Sequence, residues 1–250
     1  MPVRGAGGDR DRRRSRHRPR DLPRARPRSA AVAVVDLRAA EAVAAEIQAA
    51  GGRAAPYAAN VARGARLWRP LSATSSSASD RIDILVSNAG IGHGRRRIED
   101  VTEEEWDRTL AVDLMAHFLS LQGGRPPHAA PGTRAHRERR LDRRTSPSSL
   151  ANSIPYTSAK AGVIGFTRHL AQEVGPDGIR VNAVAPGPVK TELFHSVVAP
   201  GSQREAEFRA RIPLRYVSEA DEQAAVILFL ASDAASFVHG AIVDVNGGLL

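Results

Sequence analysis

The stretch "SIPYTSAKAGVIGFTRHLAQEVG" (residues 153–175) predicts one long helix, which lies within a series of predicted strands. Tyr156 and Lys160 are four residues apart on this helix, so they lie on one face, one turn from each other. A tyrosine hydroxyl ordinarily titrates at about 10, and a nearby ammonium favours the phenolate, which lets such a pair exchange a proton nearer neutral pH. The same spacing also occurs by chance on many helix surfaces, so the neighbouring segments must decide between the two interpretations.

Strands and helices alternate on both sides of this helix. Predicted strands lie at residues 30–36, 53–61, 82–90, 179–187 and 240–248, and further helices at residues 37–50, 101–122 and 218–232. The first strand is an apolar run ending in Asp36, which predicts burial on both faces, and Thr102 and Ser218 are the predicted N-caps of their helices. This alternation is typical of a single α/β domain with a doubly wound parallel sheet and right-handed crossovers.

Composition limits the classes of function. The 250 residues are 42% hydrophobic, contain no apolar run long enough to cross a bilayer, and lack the apolar centre of a signal peptide, so we expect a cytoplasmic protein away from the membrane. No cysteine is present, so a thiolate metal site is excluded and no metal is expected. The net charge is +9, but its positive excess lies in two segments, because residues 1–28 hold eleven arginines, residues 124–147 hold seven, and the rest of the chain is mildly acidic. A basic arm that binds nucleic acid is therefore the weaker alternative, because these segments lack interleaved aromatic residues for base stacking.

Small residues follow two of the predicted strands. These are "SNAG" (residues 87–90) and "VNAVAPGPVKT" (residues 181–191), and ligands of doubly wound sheets bind at such carboxyl ends. Asp36 also ends a strand, where an acid would accept hydrogen bonds from the ribose hydroxyls of NAD and repel the extra phosphate of NADP. Arg38 beside it keeps NADP as the alternative. Taken singly, each segment is also an ordinary strand-end turn.

Together these residues resemble the classical short-chain dehydrogenase/reductase family from about residue 30 to the end. The matching motifs are "NAG" at 88–90, YxxxK at 156–160, "PG" at 186–187 and "VDVNGG" at 243–248. The resemblance implies a Rossmann-type fold and NAD(P)-dependent interconversion of a small secondary alcohol and a ketone, as in 3-oxoacyl carrier-protein reductases and polyol dehydrogenases. It also implies a homo-oligomer, a tetramer or dimer, packed through the helix of Tyr156 and the last strand.

The resemblance assigns roles to individual residues. Tyr156 would exchange the proton, Lys160 would also bind the nicotinamide ribose, and Asp113 stands where the family has an asparagine of the proton relay. Thr191 would hold the carboxamide, and the segment from there to Arg215 stands in the place of the substrate lid. The residues assigned to the cofactor are Gly5, Gly7, Asp36, Asn60, Val61, Asn88, Ala89, Gly90, Tyr156, Lys160, Pro186, Gly187, Val189 and Thr191.

Two Arg-rich segments, residues 1–29 and 123–147, depart from the family pattern. The glycine-rich turn that should cradle the pyrophosphate is reduced to "GAGG" at residues 5–8, and Arg143 stands where the catalytic serine is expected, thirteen residues before Tyr156. The first and fifth strands of the family sheet are buried on both faces, so Arg-rich segments would leave unpaired charges there. Both strands are therefore doubtful as written, and we expect little turnover from this exact chain.

A shifted reading frame explains these departures. With suitable synonymous codons, residues 135–144 read one nucleotide later give "RIVNVASIAG", an apolar strand that carries the missing serine. Residues 9–12 can likewise give "IGIG", residues 16–20 "AIALA", and residues 72–79 "GDVVERV". Each rescue depends on the choice of codons, but the rescues coincide with the places where the family pattern fails. Our hypothesis is that short segments of this chain are translated out of frame, which makes a catalytically inactive relative the alternative to an active dehydrogenase.

Overall fold

The computed structural model describes residues 30–63, 82–92, 97–122, 136–140, 153–196 and 198–249. The strands in these ranges are β1 (Ala31–Asp36), β2 (Arg53–Ala58), β3 (Ile84–Ser87), β4 (His136–Arg140), β5 (Arg180–Pro186) and β6 (Ile242–Val245). The helices are α1 (Ala40–Ala49), α2 (Glu103–Leu110), α3 (Ala116–Gln122), α4 (Ile154–Val174), α5 (Glu192–His195), α6 (Gln203–Arg211) and α7 (Ala220–Ala231). No helix in these ranges is long and apolar enough to span a membrane.

The strands form two parallel pieces. One piece pairs β1 with β2, and the other has the order β3-β4-β5-β6 with every neighbouring pair parallel. The predicted parallel α/β architecture is therefore confirmed. In the Rossmann order 3-2-1-4-5-6, strand 1 lies between two such pieces, and in this chain it would be a strand that precedes β1. The residues predicted to form it, within 1–29, lie outside the described residues.

The centre of the four-stranded piece is buried on both faces. Every residue of β5 is buried. Ala183 packs with Val163 of α4 on one face, and the next residue, Val184, packs with Leu230 of α7 on the other. Because successive side chains of a strand point to opposite faces, α4 and α7 must cover opposite sides of β5. This is the doubly wound arrangement predicted from the sequence.

The first apolar run forms the predicted strand, β1, but the prediction that this strand is buried was wrong. The strand forms, but Val32 is 39% exposed. Within the described ranges β1 pairs only with β2, and α1 is the helix that packs against it. An apolar sequence is buried only when strands and helices cover it, and these neighbours leave much of β1 uncovered.

The Arg-rich segment around residue 138 forms a strand, although its charged sequence made that strand doubtful. The backbone of β4 lies in the sheet, pairing Val86 of β3 with Glu138 and Glu138 with Asn182 of β5. The adjacent strands present N–H and C=O groups that need partners, and the backbone of any sequence without proline can supply them. This is also the segment for which the shifted frame gives an apolar strand.

One of the two predicted helix caps is confirmed. Thr102 accepts a hydrogen bond from the Glu105 amide at 3.2 Å. The cap predicted at Ser218 was wrong, because α7 begins one residue later with Glu219 as N-cap, in a capping box with Glu222. Ser218 is held instead by a parallel bridge to Val189 and a hydrogen bond from the Gln223 side chain.

Candidate active site

Tyr156 and Lys160 lie on the buried face of α4, as their spacing predicts. They are 7% and 8% exposed, and the Lys160 Nζ is 5.2 Å from the centre of the Tyr156 ring. Pro155 fits the first turn of this helix, where its missing N–H has no intrahelical partner to lose. The helix therefore presents a phenol and an ammonium together in a partly desolvated position, where the cation favours the phenolate.

Asp113 reaches the same place from a different helix. It lies in the π-helical turn Ala111–Met115 between α2 and α3 and is 0% exposed. Its Oδ2 is 3.8 Å from the Lys160 Nζ, and its Oδ1 accepts a hydrogen bond from the Ile91 amide at 2.8 Å. A π-turn interrupts regular helix geometry and is frequent at functional sites. The carboxylate thus connects the loop after β3 with the lysine of α4.

Gly90 leaves little space for a side chain at this junction. A Cβ on it would lie 3.1 Å from Asp113 Oδ1 and 3.5 Å from Lys160 Nζ. The first distance is tighter than ordinary contact, so a side chain here would press against the ion pair. Gly90, which ends the segment predicted as part of the site, therefore lies beside Lys160 and Asp113.

The end of β5 forms a second part of the same sheet edge. Pro186 pairs with Val245 of β6, and a Cβ on Gly187 would lie only 2.8 Å from the Asn246 backbone. Glycine at 187 therefore lets the two strand ends approach. Beyond it, Val189 is buried, and Thr191 caps α5 by accepting a hydrogen bond from the Phe194 amide at 3.3 Å.

The predicted adenosine end lies beyond β1 and β2. Asp36 Oδ1 accepts hydrogen bonds from the amides of Arg38 and Ala39 at 2.8 and 2.9 Å. The Arg38 amide, followed by that of Ala39, lowers the pKa of Asp36 below its ordinary value, so the carboxylate is charged at neutral pH. Asn60 accepts a hydrogen bond from the Ala62 amide, and the turn that begins at Val61 packs against α3.

Comparison with known proteins identifies the family. A family model described as Enoyl-(Acyl carrier protein) reductase matches residues 24–250. A protein of Sinorhizobium fredii called a short-chain type dehydrogenase/reductase is 34% identical, over 88% of this chain and 87% of its own. The chain belongs to the short-chain dehydrogenase/reductase family. This confirms the resemblance drawn from the motifs.

Two further members of the short-chain dehydrogenase/reductase family are similar over most of their length. The D-threitol dehydrogenase of Mycolicibacterium smegmatis is 35% identical, over 88% of this chain and 83% of its own. A crystal structure of a 3-oxoacyl-[acyl-carrier protein] reductase from Brucella melitensis with bound NAD has a TM-score of 0.75 and 31% identity, covering 89% of this chain and 82% of that one.

Some site residues expected for a short-chain dehydrogenase/reductase are not placed. Gly5, Gly7 and Arg143 lie outside the described residues, so the glycine turn and the serine position stay predictions. The residues that the structure does bring together are Asp113, Tyr156, Lys160 and Gly90.

The sequence interpretation missed one buried polar pair in this short-chain dehydrogenase/reductase. Ser87 Oγ and His117 Nδ1 are 2.6 Å apart, and His117 is almost completely buried. The available signal was spacing, since His117 is four residues after Asp113 and lies on the same helix face. The contact with Ser87 joins two elements distant in sequence, so no local pattern predicts it.

Proposed function

We propose that this protein is a nicotinamide-dinucleotide-dependent oxidoreductase that interconverts a secondary alcohol and a ketone. The single observation that carries the proposal is the placement of the Lys160 ammonium 5.2 Å from the centre of the Tyr156 ring, with both side chains buried and the ammonium beside Gly90. Membership of the short-chain dehydrogenase/reductase family supports it.

The chain's own residues move the proton. In alcohol oxidation, the Tyr156 phenolate takes the proton from the substrate hydroxyl, and in ketone reduction the phenol returns a proton to the carbonyl oxygen. Lys160 stabilises the phenolate in both directions. Burial strengthens this effect, because water screens the two charges less than at the surface.

A bound nicotinamide would supply the hydride chemistry that accompanies this proton transfer. The residues present fit such a cofactor: Gly90 leaves backbone space beside Lys160, and Asp36 offers a charged carboxylate at a strand end for ribose hydroxyls. Asn60, Val61 and Thr191 are proposed to line the same cofactor site. We favour NAD over NADP, because the Asp36 carboxylate repels a phosphate at that ribose.

We propose residues 191–215 as the substrate lid. Its helices α5 and α6 bury an apolar cluster together with the chain that follows α6: Phe194, Val198, Phe208, Ile212 and Val217. Partly buried Leu249 packs against this cluster and ties the lid to the end of the chain. The cluster anchors the lid close to the end of β5, where the substrate would lie beside Tyr156.

The test is a screen of alcohols and ketones with NAD and NADP, followed by the absorbance of the reduced nicotinamide. It uses the chain as written and an in-frame chain in which residues 9–20, 72–79 and 135–144 carry the shifted readings. We expect turnover by the in-frame chain and little by the written one, because only the in-frame chain has a serine within residues 135–144. Failure of the folded in-frame chain to oxidise or reduce any member would contradict the proposal, and robust turnover by the written chain would contradict the frame hypothesis.

A further inference from the structure

The charge of Asp113 gives this site a property that an amide would not. Its carboxyl group is completely buried, with Oδ2 3.8 Å from Lys160 Nζ and Oδ1 held by the Ile91 amide. An asparagine could accept the same amide hydrogen bond, but it would carry no charge. The family pattern has asparagine here, so the carboxylate adds a negative charge to the Tyr156 and Lys160 pair.

The carboxylate and the phenolate both interact with one ammonium. Burial disfavours an isolated carboxylate, whereas a cation within about 4 to 6 Å favours it, so the nearby Lys160 favours the charged form of Asp113. The same ammonium lies over the Tyr156 ring. An ion pair with Asp113 offsets part of the positive potential of Lys160, and what remains is the potential available to stabilise the phenolate.

We propose that Asp113 is a positioning residue that sets the pH at which Tyr156 ionises, by pairing with Lys160 and drawing its charge away from the phenol. The inference rests on the proposed function in taking Tyr156 as the group that exchanges the proton. It predicts that a neutral side chain at position 113 lets Tyr156 ionise at lower pH.

Other titratable and charged groups face this position. Tyr156 and Lys160 approach from α4, His117 lies one turn along the helix of Asp113, and the turn Val61–Arg63 brings the exposed Arg63. An ordinary imidazole is neutral above about pH 7.5, and arginine stays charged throughout. Neither group absorbs as a phenolate, so neither contributes to the signal that follows Tyr156.

The test is a pH titration of phenolate absorbance in the near ultraviolet, which needs no cofactor. The chain has three tyrosines, Tyr57, Tyr156 and Tyr216, and the difference between each protein and its Tyr156→Phe counterpart isolates the site. Glu222 accepts a hydrogen bond from Tyr216 at 2.7 Å and raises the pKa of that phenol, which further separates its signal.

We expect Asp113→Asn to lower the midpoint of Tyr156 ionisation by about one pH unit. The matched control is Asp107→Asn, which removes the same charge from an exposed position of α2, where water and salt screen it. Its expected shift is less than about 0.2 units. If Asp113→Asn does not fold by circular dichroism, Asp113→Thr provides a second neutral side chain with the same expected direction.

Lysine dependence separates this inference from a general change of structure. In a Lys160→Met background, Asp113→Asn should change the midpoint of Tyr156 ionisation by less than half as much, because the carboxylate then has no ammonium at position 160 to pair with. An unchanged or raised midpoint in Asp113→Asn, or a full shift without Lys160, would overturn the inference. Absence of alcohol oxidation by the folded in-frame chain alongside the expected shift would instead count against the proposed function alone.

Discussion

β5 and β3 are neighbours of the same strand, yet they differ sharply in burial. Every residue of β5 is buried, whereas Val86 of β3 is 43% exposed. β5 has β4 and β6 on its two sides and helices on both faces, while β3 pairs only with β4 within the described ranges. The comparison shows that neighbours, rather than apolar composition, determine burial in a parallel sheet.

The difference in burial separates the region of the proposed proton transfer from the strands beside the expected glycine turn. The well-covered region, from residue 153 onward, carries Tyr156, Lys160 and the proposed lid. The poorly covered strands, β1 and β3, flank the position that the first strand takes in a Rossmann sheet. That strand, and the glycine turn after it, should come from residues 1–29, one of the segments for which we infer a shifted frame.

The largest expected effect is on Tyr156, the proposed proton-exchanging residue of the well-covered region. In the in-frame chain, Tyr156→Phe should reduce turnover by about 10² to 10⁴-fold, the range for loss of a general acid and base. Steady-state assays measure this, with Glu173→Gln on the exposed face of the same helix as the control. Activity within tenfold of the parent would remove Tyr156 from the mechanism.

A matched pair of valine-to-alanine substitutions tests the difference in burial between β5 and β3. Val184→Ala in β5 should reduce the free energy of unfolding by about 2 kcal/mol, because it opens a cavity beneath α7. Val86→Ala in β3 should cost less than about 0.5 kcal/mol in the written chain, because the side chain is already exposed. Urea denaturation gives both values.

The same pair sharpens the comparison in the in-frame chain. There the first strand should cover β3, so the cost of Val86→Ala should rise toward that of Val184→Ala. If the two substitutions reduce the free energy of unfolding equally in the written chain, β3 is already covered there, which would contradict the frame hypothesis.

The sequence predicted five of the six described strands and the main helices, because these have regular hydrophobic spacing. It did not predict β4 at Arg137, where the backbone pairing of two neighbours, rather than the side chains, defines the strand. Within the site, the four-residue spacing of Tyr156 and Lys160 predicted that the two side chains lie on one face of the helix. The ion pair with Asp113 and the hydrogen bond between Ser87 and His117 join separate elements, and local periodicity contains no information about such contacts.

A smaller effect is expected for cofactor choice in the poorly covered region. Asp36→Ser in the in-frame chain should shift the ratio of NAD to NADP efficiency by about tenfold toward NADP, because it removes a charged carboxylate beside Arg38. The kcat/KM values for the two cofactors measure it. Glu41→Gln, an exposed acid in the first turn of α1, is the control and should leave the ratio unchanged.

The smallest effect concerns the cap of α7. The Tyr216 hydroxyl, followed by the Glu219 amide, donates to Glu222 and lowers the pKa of that carboxyl. A depressed pKa stabilises the fold above the ordinary carboxyl range, and this contribution is lost as the pH falls through the folded-state pKa. Glu222→Gln should therefore lower the melting temperature by about 1 °C at pH 7 and make no difference near pH 3. An equal effect at both pH values would rule out the charged cap.

The most direct test of the contrast between the two regions is to read the coding DNA of this chain. We predict that the codons of residues 135–144, read one nucleotide later, encode an apolar strand followed by a serine, and that residues 9–20 read in the same way encode a glycine turn followed by an apolar segment. Codons whose shifted frames give neither motif would contradict the account, and the Arg-rich segments would then be the true sequence of the protein.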